Sequence, residues 1–83
     1  PLDKKVESFG FKVLKCNGNK MEDVDRVLAE AWYTEGPVCI ISDTVKGYGV
    51  KQYEGKATSH YCSFGAEESE VKKFIDEIEN REF

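Results

Sequence analysis

Residues 38–50, Val-Cys-Ile-Ile-Ser-Asp-Thr-Val-Lys-Gly-Tyr-Gly-Val, begin as an unbroken apolar run and turn abruptly into a loop with two glycines and a lysine. Continuous apolarity without alternation marks a strand covered on both faces, as in a parallel sheet. A buried strand that ends in such a loop is where an open α/β sheet puts phosphate or cofactor contacts. Glycine lets backbone come close to a ligand, because it has no Cβ and tolerates positive φ. Lys46 adds a mobile positive charge suited to phosphate oxygens. These features select a parallel α/β architecture and nominate Lys46, Gly47 and Gly49 as binding residues.

The flanking sequence supplies the other elements. Residues 2–9 read as a short helix or the end of one, with Leu2, Val6 and Phe9 at helical spacing and Gly10 as the stop. Residues 11–16 read as a strand with Phe11 and Val13 on one face. Asn17-Gly18 makes a turn. Asn19 then reads as a helix cap, with Glu22 three residues on as a capping box requires. Met21, Val24, Val27, Leu28, Ala31 and Trp32 form one apolar stripe, read as core, and Gly36-Pro37 ends that helix. Strand, helix and strand make a βαβ unit, for which a right-handed crossover is expected. Residues 45–65 then form a connection of about twenty residues, a length usually functional or ordered by a partner. Gly65 or a neighbour opens a last helix. Glu67, Glu68 and Glu70 complement its dipole, and Val71, Phe74, Ile75 and Ile78 line its buried face.

A chain of 83 residues is one small domain or a piece of a larger one, burying only roughly 60–65% of its unfolded surface. A net charge of −4 argues against nucleic acid as a partner. No apolar run approaches the ~20 residues that span a bilayer. The chain begins Pro-Leu-Asp-Lys-Lys, with no signal-peptide pattern and no initiator methionine. That start points to a processed chain or an excised fragment. Cys16, Cys39 and Cys62 are odd in number and lack a Cys-x-x-Cys pair, so a reducing, cytoplasmic setting fits better than a disulfide framework. Cys39 reads as a small buried hydrophobe. His60 and Cys62 could begin a zinc site, but partners at ligand spacing are missing, so no metal ligand is assigned.

His60 is the single histidine. It lies in a polar Thr-Ser-His-Tyr stretch after the glycine loop. There it could donate a hydrogen bond to a phosphate or exchange a proton with a substrate hydroxyl. One histidine and scattered hydroxyls define no nucleophilic triad.

At this point the residues resemble a known family, the transketolases. The resemblance covers nearly all 83 residues and falls on the C-terminal part of the family's N-terminal, diphosphate-binding domain. Residues 1–13, Pro-Leu-Asp-Lys-Lys-Val-Glu-Ser-Phe-Gly-Phe-Lys-Val, look like the helix that leads into a strand through a Phe-Gly-Trp entry. Asn17-Gly18-Asn19 stands where Asp-Gly-His is usual. Residues 36–49 look like the segment GKPTVIIAKTVKGKG. His60, fourteen residues after Lys46, matches the histidine of the family's Trp-His-Gly sequence.

The resemblance implies a fragment of a three-layer α/β/α parallel-sheet domain that binds thiamine diphosphate. It implies Lys46, Gly47, Gly49 and His60 as cofactor-binding residues, with His60 also catalytic through the substrate hydroxyl near the reacting carbon. The implied reaction moves a two-carbon ketol unit between sugar phosphates, as in the pentose phosphate pathway. The cofactor's ylid would carry the chemistry. The family's Gly-Asp-Gly…Asn motif, which holds Mg2+ and diphosphate, is absent. So is the glutamate that activates the aminopyrimidine ring, which the family carries on a neighbouring subunit. The chain would thus supply one wall of a site, completed by the rest of a transketolase chain or by a partner subunit in a dimer, and would be inactive alone. Asp43, Tyr61 and Asn19 depart from the usual basic residue, glycine and histidine. Two other readings are a deoxyxylulose-phosphate synthase-like enzyme and a non-catalytic α/β interaction module.

Overall fold

The computed structural model describes residues 1–60 and 67–82. They belong to two compact units, Pro1–Thr44 and Val45–Phe83.

In the first unit, helix α1 (Leu2–Ser8) precedes strand β1 (Lys12–Asn17), helix α2 (Met21–Trp32) and strand β2 (Val38–Asp43). The two strands are parallel neighbours, paired from Lys12 opposite Val38 to Asn17 opposite Asp43. The α/β class with parallel pairing is the one the apolar run demanded. Helix α1 ends at Ser8, where the amides of Phe9 and Gly10 turn back to the carbonyls of Val6 and Glu7. Asp3 of α1 pairs with Lys15 of β1 at 3.1 Å, and that hydrogen bond holds the Asp3 carboxyl below its ordinary range.

The core is small: Leu14, Cys16 and Val27, with Val24, Ala31, Val38 and Ile40 packed around them. The strand face turned to α2 therefore carries Leu14 and Cys16, while Phe11 is exposed. Val27 is 1% exposed, yet Met21 at 80% and Trp32 at 83% project away from the core, so only the middle of the apolar stripe is core. A twelve-residue helix over two strands meets them along a short contact, and the stripe extends past it. For the same reason residues 38–41 are half-buried, where a strand covered on both faces was expected. Cys39 among them is a half-buried free thiol.

The start of α2 differs from the expected capping box. Lys20 is the N-cap and no side chain caps it. Asp23, in the first turn, instead reaches back and accepts the Asn17 N–H at 2.6 Å, while Asn17 Oδ1 accepts the Asn19 N–H at 3.0 Å. A short carboxylate therefore ties the end of β1 to the helix, and Asn19 is a turn residue. The Asn17 amide, then Arg26, hold the Asp23 carboxyl below its ordinary range. Gly18 is forced by proximity: a Cβ there would collide with Ser42 Oγ, since the Gly18 N–H donates to the Asp43 carbonyl at 2.7 Å. The helix ends at Trp32 with Tyr33 as C-cap, before Gly36-Pro37 is reached.

The second unit contains a run of turns, a 3-10 helix (Ala57–His60) and helix α3 (Glu68–Glu79) with Glu67 as N-cap. Phe74 alone of the expected apolar face is buried, stacked at a tilt on Tyr53 with ring centres 5.7 Å apart. Val71, Ile75 and Ile78 are about half exposed. Gly65 and Cys62 lie outside the described residues. Among the described residues no helix is long and apolar enough to cross a membrane.

Candidate functional site

The site is built on a closed loop. The Gly55 N–H donates to the Lys46 carbonyl at 2.8 Å, which joins the two ends of residues 46–55 in a neck. Inside the loop, short turns follow one another: Tyr48 N–H to the Val45 carbonyl, Val50 N–H to the Gly47 carbonyl, and Tyr53 N–H to the Val50 carbonyl. The long connection read from the sequence is thus ordered up to Gly55 by its own hydrogen bonds. Gly47 has φ 72°, and a Cβ on it would lie 2.5 Å from the Tyr53 carbonyl oxygen. Only glycine meets both conditions. The 3-10 helix begins two residues after the neck and carries the chain back towards Lys46.

The consequence is a close pair. Lys46 Nζ lies 2.9 Å from His60 Nδ1, and both side chains are exposed. Fourteen positions of sequence are thereby reduced to one hydrogen bond. A compact ammonium beside an imidazole is a donor set for oxygen anions such as phosphate.

Of the four residues nominated from sequence, Lys46 and His60 are in direct contact and Gly47 is the hinge of the neck. Gly49 is buried, with φ 108°, and its N–H donates to Glu54 Oε1 at 3.1 Å. That amide is committed to the loop's own brace.

The brace went unseen in the sequence. Glu54 pairs with Arg81, which follows α3, and Arg81 stacks its guanidinium 4.9 Å from the Tyr48 ring centre. The Lys51 N–H donates to Glu77 Oε1 at 2.8 Å. Both acceptors are ordinary acidic residues in polar stretches, and both contacts span more than 25 positions, so no local pattern marks them. The Arg81 hydrogen bond first, and the Gly49 amide second, hold the Glu54 carboxyl below its ordinary range. Among the described residues no three His, Cys, Asp or Glu side chains converge on a metal position.

Similar proteins carry the transketolase name. The chain is 40% identical over 78 residues, 90% of its length, to an apulose-4-phosphate transketolase subunit of Phocaeicola vulgatus. It is 38% identical over 61 residues, 74% of its length, to the protein of the same name from Actinobacillus succinogenes. It is 33% identical over 61 residues, 72% of its length, to the 6-deoxy-6-sulfo-D-fructose transketolase subunit SqwG of a Clostridium species. These stretches amount to 28%, 22% and 22% of the three relatives, so the chain spans about a quarter of their length. No protein-family model matches the chain. No solved structure matches it either. The resemblance to transketolases read from the residues is thus matched by relatives found over most of the chain.

Proposed function

We propose that this chain is the C-terminal part of the diphosphate-binding domain of a thiamine diphosphate-dependent transketolase, acting in the cytoplasm on sugar phosphates. The observation that carries the reading is the Lys46–His60 pair, 2.9 Å between Nζ and Nδ1, on a glycine-hinged neck. The donor set fits one end of a diphosphate: a lysine cation, an imidazole and a hinge whose Cβ space is taken. Thiamine diphosphate, when bound, supplies the electron sink needed to break and remake a carbon–carbon bond of a ketose.

This chain's own residues have narrower tasks. Lys46 offsets phosphate charge and His60 orients an oxygen of the substrate by hydrogen bonding. Gly47 keeps the two in register. Gly49 serves the site through the Glu54 brace. The Mg2+ ligands and the remaining site residues belong to polypeptide outside this chain, in the same protein or in a partner subunit. The relatives' names, which describe subunits, support the partner.

The test is a ketol-transfer assay on the complete protein with its partner, using a phosphorylated ketose donor and an aldose phosphate acceptor, with and without thiamine diphosphate. Cofactor-dependent transfer is expected. Absence of transfer in a folded, cofactor-loaded assembly with a range of sugar phosphates would leave the non-catalytic interaction module in its place.

A further inference from the structure

We infer that Lys46 is a positioning residue for His60. It fixes the imidazole as the Nε2–H tautomer, so that the ring offers the site a hydrogen-bond donor and not an acceptor. A lysine ammonium has three N–H donors and no acceptor. In the neutral ring one nitrogen donates and the other accepts. The contact at 2.9 Å is between Nζ and Nδ1, so Nδ1 is the acceptor. The ring proton is then on Nε2, the nitrogen on the far side of the ring from Lys46. The nitrogen engaged by one partner decides what the other nitrogen can do.

The backbone makes this arrangement a built one. The Lys46 carbonyl is held at the neck by the Gly55 amide at 2.8 Å. His60 ends the 3-10 helix that starts at Ala57, just beyond that neck. Lys46 is thus anchored at the neck, and the 3-10 helix that follows the neck brings His60 back to it.

The consequence concerns ligand chemistry, and here the inference rests on the reading of the loop as a wall of a sugar-phosphate site. A ring protonated at Nε2 recognises oxygens that accept: a phosphate oxygen, a carbonyl, or a hydroxyl acting as acceptor. It cannot remove a proton from a hydroxyl through Nε2 while Lys46 occupies Nδ1. Lys46 thus selects between the two tasks open to His60 from sequence, hydrogen-bond donation and proton abstraction, in favour of donation.

The experiment is long-range 1H–15N correlation on the chain labelled with 15N-histidine, recorded above the ordinary imidazole titration range. The sequence has one histidine, so its two ring nitrogens are the signals to be read. A protonated-type Nε2 and an unprotonated Nδ1, shifted as a hydrogen-bonded acceptor, are expected. Lys46→Met should move the Nδ1 signal to its unbonded position and admit the other tautomer, and Lys46→Arg should restore the bonded Nδ1. A predominantly Nδ1-protonated ring in the unmodified chain would overturn the inference, as would identical ring spectra with and without Lys46. The unmodified spectrum alone can do this, even if Lys46→Met fails to fold. If the tautomer is as stated but the complete protein performs no cofactor-dependent transfer, the functional reading falls and the positioning role stands.

Discussion

At the scale of single residues, Gly47 is the position where the backbone dictates the side chain. Its φ of 72° places it in the left-handed region, and an added Cβ would meet the Tyr53 carbonyl oxygen at 2.5 Å and its carbon at 2.8 Å. Those are backbone atoms and cannot swing aside. Gly47→Ala is expected to cost at least about 1–3 kcal/mol, the range for a non-glycine residue forced into this conformation. It should also open the neck, read as faster hydrogen exchange at the Gly55 amide. Gly55→Ala is the control: φ is 66°, but nothing lies within 4 Å of the added carbon, so its effect should be smaller. Equal effects would mean that the Tyr53 contact is unimportant.

The two polar residues answer to different measurements. Lys46→Met in the complete protein should weaken thiamine diphosphate binding by about 1–3 kcal/mol, the scale of one charge-assisted hydrogen bond. Isothermal titration checks it, and an unchanged dissociation constant would make Lys46 a solvated loop lysine with a role only at His60. His60→Ala should lower kcat/KM by about 10²–10⁴, the usual scale for an oriented hydrogen-bond donor at the reacting centre. Its exposed position predicts an unchanged melting temperature. Lost activity together with a collapsed melting temperature would instead make it a structural residue.

At the scale of elements, the loop is held by charge. Glu54 accepts from both Arg81 and the Gly49 amide, and its carboxyl is held below the ordinary range. A group whose pKa is depressed by folding stabilises the fold above its unfolded value, and this contribution is lost as pH falls through the folded value. The wild-type melting temperature should therefore fall as pH drops below the ordinary glutamate value of about 4.3. Asp3 and Asp23 add to the same acid limb, since their carboxyls are also depressed. Glu54→Gln isolates the loop's share: the variant should melt lower at neutral pH, and its deficit should shrink towards zero in acid. A deficit constant across pH would assign the effect to packing and not to charge.

The elements also show what a sequence reveals and what it hides. The unbroken run from Val38 carried enough information to give β2 and its parallel pairing, because apolarity without alternation has few other solutions. The stripe on α2 was legible as a face, but periodicity is blind to what stands opposite, so Val27 and Trp32 looked alike. Asn19 looked like a cap because its residue type suits the role. No side chain caps α2, and Asp23 instead reaches six positions back to accept the Asn17 N–H, a contact set by where β1 ends. Lys46 and His60 could be nominated singly, from a glycine loop and a lone imidazole. Their contact depends on the Gly55-to-Lys46 neck, which no local motif encodes.

Taken entire, the 83-residue chain is poorly equipped to hold a cofactor by itself. Its described core is slight, and several large apolar side chains are open to solvent, Phe9, Trp32 and Tyr33 each at more than 80%. The chain spans about a quarter of the length of its curated relatives. On the proposed reading it brings a cation, an imidazole and a glycine hinge to the diphosphate. On that same reading the metal ligands and the ring-activating glutamate are supplied by polypeptide outside this chain. A bound divalent cation is often the largest local charge in such a site, and one lysine does not replace it. Calorimetric titration of the 83-residue chain with thiamine diphosphate and Mg2+ should therefore give an affinity far weaker than micromolar. Adding the remaining polypeptide or its partner should bring it into the micromolar range or tighter, with Lys46→Met weakening only the assembled form. Micromolar affinity in the isolated chain would mean that the Lys46 and His60 loop is a complete anion site, and that the division of the site between polypeptides proposed here is wrong.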